Sequence, residues 1–417
     1  MRKNKVVANM TDTLCRPAAR MADITPFYVM ELLGRAKELE AQGREIIHME
    51  VGEPDFPTPE PVVAAGMRAL AEGHTKYTHA LGIPALREAI AGFYRARYGV
   101  HVPARRIAVT PGASGALQLA LAALVDPGDD VLVADPGYPC NRNMIRLLGG
   151  NPIDIPVGPE TAYQPAPEPV SRHLTPSTRA IVLASPSNPT GTLISPRDMA
   201  DIRDRTSGRN IGVIVDEIYL GLVYGQDAEE VNTALALSDD IFVIGSFSKY
   251  FGMTGWRIGW LVGPEPFARD IEKLAQNLYL SAPTVAQYAA LAAFEPETRA
   301  ILEARRRIFQ ARRDFLLPAL RELGFEIPVV PQGAFYLYAN CSRFTRDSLP
   351  FAMELLEHAG VAITPGLDFG RNGARDHVRF AYTTDMENLR AGVERLRGYL
   401  ADKATGMPAI PATQVTT

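Results

Sequence analysis

The sequence predicts an α/β protein: a large domain with a central, mostly parallel sheet sandwiched by helices, joined to a smaller discontinuous α+β domain. Three observations carry this. Short apolar runs alternate with helical-period stretches through the middle of the chain, the pattern of βαβ units. The runs are β-branched and nearly continuous in apolarity, as expected of strands covered on both faces. The length, 417 residues, exceeds one ordinary domain and suits two to three lobes.

In chain order, residues 1–23 have early positive charge but no apolar stretch behind it, so they read as a flexible extension and not a secretory signal. A helix is expected over Tyr28–Gln42, then an extended piece at Ile46–Val51 that packs with the small lobe. Six core strands are expected at Arg106–Thr110, Asp130–Ala134, Ala180–Ala184, Gly212–Val215, Ile241–Gly245 and Ile258–Val262. Helical patterns such as Ala116–Leu124 and Pro196–Arg205 lie between them. Pro266 to Leu323 reads as helical, with the Arg-rich stretch Glu303–Arg313 as a solvated face. Strand-like pieces at Gly324–Asn340, Val361–Thr364 and His377–Tyr382 surround a helix at Leu349–Ala359 and precede another at Met386–Leu400. The expected division is 24–62 with 300–402 as the small domain and 63–299 as the large one. The Pro/Ala/Thr-rich tail 403–417 reads as disordered.

Composition excludes several function classes. Hydrophobic residues make up 47% and charged residues 22%, so disorder and coiled coil are ruled out as the dominant state. The net charge of −4 offers no basic field for nucleic acid. The longest apolar runs, such as Leu119 to Val125, are too short to span a bilayer. Cys15, Cys140 and Cys341 are far apart and form neither a disulfide framework nor a metal cluster, which points to a reducing, cytoplasmic compartment.

In open parallel sheets, ligands bind beyond the carboxyl ends of the strands. Here five strand ends carry unusual residues: Pro111-Gly-Ala113-Ser114-Gly115-Ala116, Asp135-Pro-Gly-Tyr138, Ser185-Pro-Ser-Asn188, Asp216-Glu-Ile-Tyr219 and Ser246-Phe-Ser248-Lys249. Small residues opening a helix can hold a phosphate on backbone N–H groups; they also make a tight strand-to-helix turn. Asp216 closes an apolar run, so its carboxylate needs a cation, several donors or a capping role. Tyr138 is either core packing or a stacking platform. Lysine is scarce, and Lys249 directly follows a buried strand, where desolvation frees an amine as nucleophile or base. The alternative is a surface lysine in a loop. Arg257, eight residues later, is a fork suited to a phosphate.

Taken together, Ser246-Phe-Ser-Lys249-Tyr-Phe-Gly-Met-Thr-Gly-Trp-Arg257-Ile-Gly resembles the lysine motif of the class I/II aminotransferases, fold-type-I pyridoxal-phosphate (PLP) enzymes. Val51-Gly-Glu-Pro-Asp-Phe-Pro-Thr-Pro59, Tyr77 with Gly82-Ile-Pro-Ala-Leu-Arg-Glu88, Ser187-Asn-Pro-Thr-Gly191 and Asp216-Glu-Ile-Tyr219 match in order, from about Ile24 to Leu400. The resemblance implies that Lys249 forms the Schiff base with PLP and Asp216 pairs with the pyridine nitrogen. Tyr219 and Asn188 would bond the phenolic oxygen, and Tyr138 would stack on the ring. Ala113, Ser114, Gly115, Ser246, Ser248 and Arg257 would cradle the phosphate. Tyr77 would reach the partner's phosphate in a homodimer with shared active sites. Arg379, with Gly52 and Asn188, would take the substrate carboxylate; from the residues alone it reads as a solvent-facing strand residue.

The implied activity is transfer of an amino group from an L-amino acid to a 2-oxo acid, commonly 2-oxoglutarate, in two half-reactions. A carbon–sulfur β-lyase on the same scaffold is the competing expectation, and a PLP-binding regulator a remote one. A regulator would carry a DNA-binding domain, and the residues before Ile24 are too few for a winged helix. Ile24, Phe27 and Tyr28 suggest an apolar lid, and Gln276–Gln287 holds no arginine for a second carboxylate. The Asn277–Pro283 stretch is a further candidate for the side-chain pocket. Glu217 is at most a supporting residue.

Overall fold

The computed structural model describes residues 15–225 and 231–405. Its strands are β1 (Ile47–His48), β2 (Ile107–Thr110), β3 (Asp130–Asp135), β4 (Asn151–Pro156), β5 (Thr178–Ala184), β6 (Gly212–Asp216), β7 (Phe242–Ser246), β8 (Gly259–Val262), β9 (Tyr336–Asn340), β10 (Val361–Ala362), β11 (Thr364–Pro365) and β12 (His377–Ala381). The helices are α1 (Tyr28–Ala41), α2 (Glu60–Ala71), α3 (Pro84–Tyr98), α4 (Gly112–Leu124), α5 (Pro139–Leu147), α6 (Pro167–His173), α7 (Pro196–Thr206), α8 (Ala268–Leu278), α9 (Thr284–Leu291), α10 (Pro296–Leu323), α11 (Ser348–Glu354) and α12 (Met386–Thr405).

β2 to β8 form one sheet in the order β2-β8-β7-β6-β5-β3-β4. β4, β3, β5, β6 and β7 are parallel, and β8 runs against both β7 and β2. Alternation along the strands feeds two cores. Leu132, Ile181, Val213 and Val243 face one side, while Val131, Val182, Ile214 and Phe242 face the other. Each such side chain contributes roughly 1.5–3 kcal/mol on full burial. That double coverage explains the continuous apolarity of the runs. β4 escaped the sequence reading because Asn-Pro-Ile-Asp-Ile-Pro carries two prolines. It is an edge strand paired only with β3, where a missing N–H can be tolerated.

The smaller sheets draw on both ends of the chain. β1 pairs in parallel with β10, and β12 lies between β11 and β9 in an antiparallel triplet. α1 rests on β10 and β11, and α12 packs against α10 and β1. Only Tyr336–Asn340 of the expected strand-like stretch 324–340 is regular strand. The expected domain boundaries at 62/63 and 299/300 fall inside α2 and α10.

Two expectations need correction. Glu303–Arg313 is not a solvated face throughout: Arg312 and Arg313 are buried, because α10 turns them onto the segment after β1 and the loop before β9. Lys403–Thr405 continue α12, and Lys403 bonds Glu354 at 2.5 Å; the rest of the expected disordered tail lies outside the described residues. Of the expected flexible extension, residues 1–14 also lie outside them. Ala19–Ala22 form a 3₁₀ turn, and Arg20 donates to the Leu147 oxygen at the end of α5. Among the described residues, no helix is long and apolar enough to cross a membrane.

Candidate active site

The carboxyl ends of β5 and β6, the loop after β7 and the start of α5 open onto one cavity of about 300 Å³. Tyr138, Asn188, Asp216, Tyr219 and Lys249 line it from the large sheet, and Gly52 and Arg379 from the opposite side. Residues as distant as 52 and 379 thus converge on the strand ends that the sequence singled out.

Among the described residues, Lys249 donates from Nζ to the Gly52 main-chain oxygen at 2.7 Å and contacts no carboxylate. Burial pushes its amine down to about 8; the negative Glu53 opposes this, while Arg379 and Arg257 reinforce it. Asp216 has no cation in bonding contact among the described residues. Burial raises its carboxyl to about 6, against the Ile218 N–H donated at 3.1 Å and the charge of Lys249. Asp216 thus both accepts in a local turn and lies on the cavity wall. Tyr219 shares a hydrogen bond with Tyr336, hydroxyl to hydroxyl, at 2.8 Å, and its ring lies 5.9 Å from Lys249 Nζ. Glu217 faces away, accepting from Thr233 Oγ1 and the Ala234 N–H.

Arg379 is 5% exposed, which overturns its reading from the residues alone as solvent-facing. Its Nη1 donates to Asn188 Oδ1 at 2.9 Å; its Nη2 donates to the Glu50 main-chain oxygen at 2.5 Å and to Thr364 Oγ1 at 3.1 Å. The guanidinium lies 4.2 Å from the Tyr336 ring centroid and 4.8 Å from that of Phe369. No carboxylate neutralises it, and its buried Nε has no partner among the described residues.

A second group lies behind the lysine loop. α4 begins at Gly112 with no side-chain cap on its free N–H groups, so Ala113, Ser114 and Gly115 form an open first turn. Gly112 has φ +70°, and a Cβ there would come within 2.5 Å of Arg257 Nη2. A Cβ at Gly259 would meet the Ala113 nitrogen at 2.8 Å. Arg257 donates to the Thr254 oxygen and has no acid partner among the described residues. Ser246 Oγ accepts from the buried Ser248 N–H at 3.0 Å. An arginine without counter-ion beside an uncapped helix start suits a phosphate. An unpaired carboxylate suits a protonated ring nitrogen, and a desolvated amine suits an aldehyde. The residues present therefore fit PLP.

Tyr77 is not brought to this cavity; it is 82% exposed. Phe27 lines the wall, whereas Ile24, Tyr28 and Asn277–Pro283 do not. The sequence reading missed Tyr336, Thr364, Asp368, Phe369 and Glu50. A Cβ on Gly52 would collide with the Tyr336 hydroxyl, so the match in shape ties the two positions together. Glu50 left a signal: it is a charge closing the apolar run Ile46-Ile-His-Met-Glu50 just before the Val51-Gly52 motif.

A family model described as aminotransferase class I and II matches residues 44–396. A valine–pyruvate aminotransferase of Mycobacterium tuberculosis is 39% identical over 391 residues, 94% of this chain and 99% of that one. An aspartate/prephenate aminotransferase of Thermus thermophilus is 38% identical over 379 residues, 90% of this chain and 96% of that one. Among solved structures, an aminotransferase from Mycobacterium tuberculosis superposes with TM-score 0.90 at 39% identity, covering 93% of this chain and 100% of that one. Aspartate aminotransferase from Thermus thermophilus with maleate gives TM-score 0.86 at 36% identity, covering 92% and 100%. The chain belongs to the class I and II aminotransferases, PLP-dependent enzymes that move an amino group from an amino acid to a 2-oxo acid.

Proposed function

We propose that this aminotransferase takes L-amino acids with neutral, apolar side chains, using Lys249 as its catalytic amine. The observation that carries the substrate class is the cavity wall: Arg379 is its one arginine among the described residues, and Phe27, Val29, Met30, Val51 and Ile218 make an apolar face. A single guanidinium binds a single carboxylate. The relative named a valine–pyruvate aminotransferase supports this reading; those named for aspartate pull the other way. The 2-oxo acid re-enters the same cavity, so a monocarboxylic acceptor suits it. The expected 2-oxoglutarate would need a second cation, which would have to come from a partner subunit.

Bound PLP supplies an aldehyde carbon that exchanges amines and a ring that draws electron density from the substrate Cα. Ala113, Ser114, Gly115, Ser246, Ser248 and Arg257 would hold its phosphate, and Asp216 its ring nitrogen. Asn188 and Tyr219 would hold its phenolic oxygen, and Tyr138 its face. Arg379 orients the substrate by its α-carboxylate, with Gly52 and Asn188 beside it. The Lys249 amine, lowered to about 8 by burial and so about half neutral at that pH, would take the proton from the substrate Cα and pass it on to the carbon that the cofactor aldehyde supplies. Holding base and carbon in one geometry removes part of an entropic barrier that can reach about 7–11 kcal/mol.

The two-lobe division of 24–62 with 300–402 against 63–299, and a homodimer with shared sites, belong to the same proposal. Exposed Tyr77 and an apolar stripe on α2 (Val63, Met67 and Leu70) support the dimer. Free Cys15, Cys140 and Cys341 support a cytoplasmic setting.

The test is a titration of the visible band of purified holoenzyme with single amino acids. Valine, leucine or phenylalanine should convert it at least about tenfold faster than aspartate; the reverse order overturns the substrate class. Ammonia and pyruvate released without an acceptor would favour the lyase chemistry.

A further inference from the structure

Residues 50–58 begin on the cavity wall, and several of their polar groups are held by different parts of the protein. The Glu50 oxygen accepts from Arg379 and from Thr364 Oγ1. The Val51 oxygen accepts from Thr383 Oγ1, and the Gly52 oxygen from the Lys249 amine. At the far end, Thr58 Oγ1 donates to the Gly252 oxygen and accepts from Trp256 Nε1, both at 3.0 Å, under the lysine loop. The middle of the segment is held from α10. Arg312 donates from Nη1 and Nη2 to the two carboxylate oxygens of Asp55, each at 2.7 Å. The Arg312 guanidinium also lies 5.0 Å from the Phe56 ring and 5.3 Å from that of Phe309, and Arg305 donates to the Pro57 oxygen.

This pair differs from an ordinary surface ion pair. The Arg312 side chain is 4% exposed and its Nε is without a partner among the described residues, so the desolvation of the arginine is offset mainly by the Asp55 fork and two aromatic faces. Asp55 is three residues from Gly52, too close for the carbonyl to move independently of it.

We propose that Arg312 and Asp55 are positioning residues for the reaction: their fork fixes the segment 52–55 so that the Gly52 carbonyl receives and aims the Lys249 amine whenever that amine is free. The inference rests on the assignment of the catalytic amine to Lys249. A main-chain acceptor at 2.7 Å orients the nitrogen lone pair and stabilises the protonated amine; a slackened segment does neither. Neither Arg312 nor Asp55 lines the cavity. Arg379 keeps Asn188 and Thr364 when the segment slackens, so substrate binding is expected to change little.

The experiment compares Arg312→Lys, which keeps the charge and loses the fork, with Asp55→Asn and the double variant, all as holoenzyme. Single-turnover conversion of the visible band by saturating amino acid should slow about tenfold in each single variant, the scale of a sub-ångström misplacement. KM should stay within about threefold, and the acid limb of the pH–rate profile should move to lower pH. The double variant should be no slower than the slower single one, since the two residues act as one unit. A normal single-turnover rate in Asp55→Asn overturns the proposal, as does multiplication of the two losses in the double variant. So does a rate loss that tracks melting temperature and KM with an unmoved acid limb. Failure of the Lys249 assignment looks different: Lys249→Ala would then turn over, whatever the clamp variants do.

Discussion

Arg379 on β12 donates to Asn188, in the loop after β5, at 2.9 Å, so an arginine and an amide from opposite sides of the cavity are tied together. The contact prearranges the guanidinium before any carboxylate arrives. Stacking on Tyr336 and Phe369 fixes its plane. A lysine ammonium cannot reproduce a flat fork with three separate acceptors. Arg379→Lys is therefore expected to lower kcat/KM for amino acids about a hundredfold, the lower part of the ~2–5 kcal/mol range for disrupting a buried, hydrogen-bonded charge. The visible band of the bound cofactor should be unchanged. Loss of the band along with activity would mean that Arg379 holds the fold and not the substrate.

The Lys249 amine is expected to titrate near 8, lowered mainly by burial. It is protonated below that pH and nucleophilic above it. When protein stripped of PLP is mixed with PLP, the capture rate should climb about tenfold per unit from pH 6 and level off above about 8. A rise that continues to pH 10 would mark an ordinary solvated lysine. Lys249→Ala should retain PLP by its phosphate and ring contacts, show no lysine-bound band, and lose turnover.

Legibility followed the distance between partners. Lys249 and Asp216 stood out because each ends a continuous apolar run, a signal that is local in sequence. Arg379 did not, because the groups that make its burial tolerable come from positions 50, 188 and 364. A charged residue in a short alternating strand reads as outward-facing until those partners are known. Arg312 was hidden in the same way: the Arg-rich stretch reads as one solvated face, and its carboxylate partner Asp55 is 257 residues away. The helix start at Gly112 was legible as a small-residue turn. Its open N–H groups facing Arg257, which has no acid partner among the described residues, were not, because that depends on how β8 passes behind α4.

Asp368 accepts from the Tyr28 N–H at 2.7 Å and the Val29 N–H at 2.9 Å, one carboxylate oxygen for each, at the start of α1. It thereby seats Phe27, Val29 and Met30 on the apolar face of the cavity. Asp368→Ala releases that helix end, a loss on the scale of a helix cap, about 0.5–2 kcal/mol. KM should rise roughly five- to tenfold for leucine and phenylalanine and much less for alanine. A uniform rise across side chains would place the effect on Arg379 instead, since the α-carboxylate is common to all three.

His48 lies between two carboxylates, with Nδ1 2.7 Å from Glu50 and Nε2 3.0 Å from Glu40, tying the wall segment to α1. The bond to Glu50 is the main reason its imidazole is raised to about 9, against the opposing effect of burial. A folded pKa above the unfolded value of about 6.5 means that the pair's stability is fully present below pH 6.5 and lost as pH rises through 9. Between those limits the wild-type melting temperature should fall more steeply than that of His48→Gln, which carries no titrating group at this position. Groups titrating elsewhere are common to both proteins and cancel in the difference between the two slopes. Parallel curves from pH 6.5 to 9.5 would mean that His48 stays neutral in the folded protein.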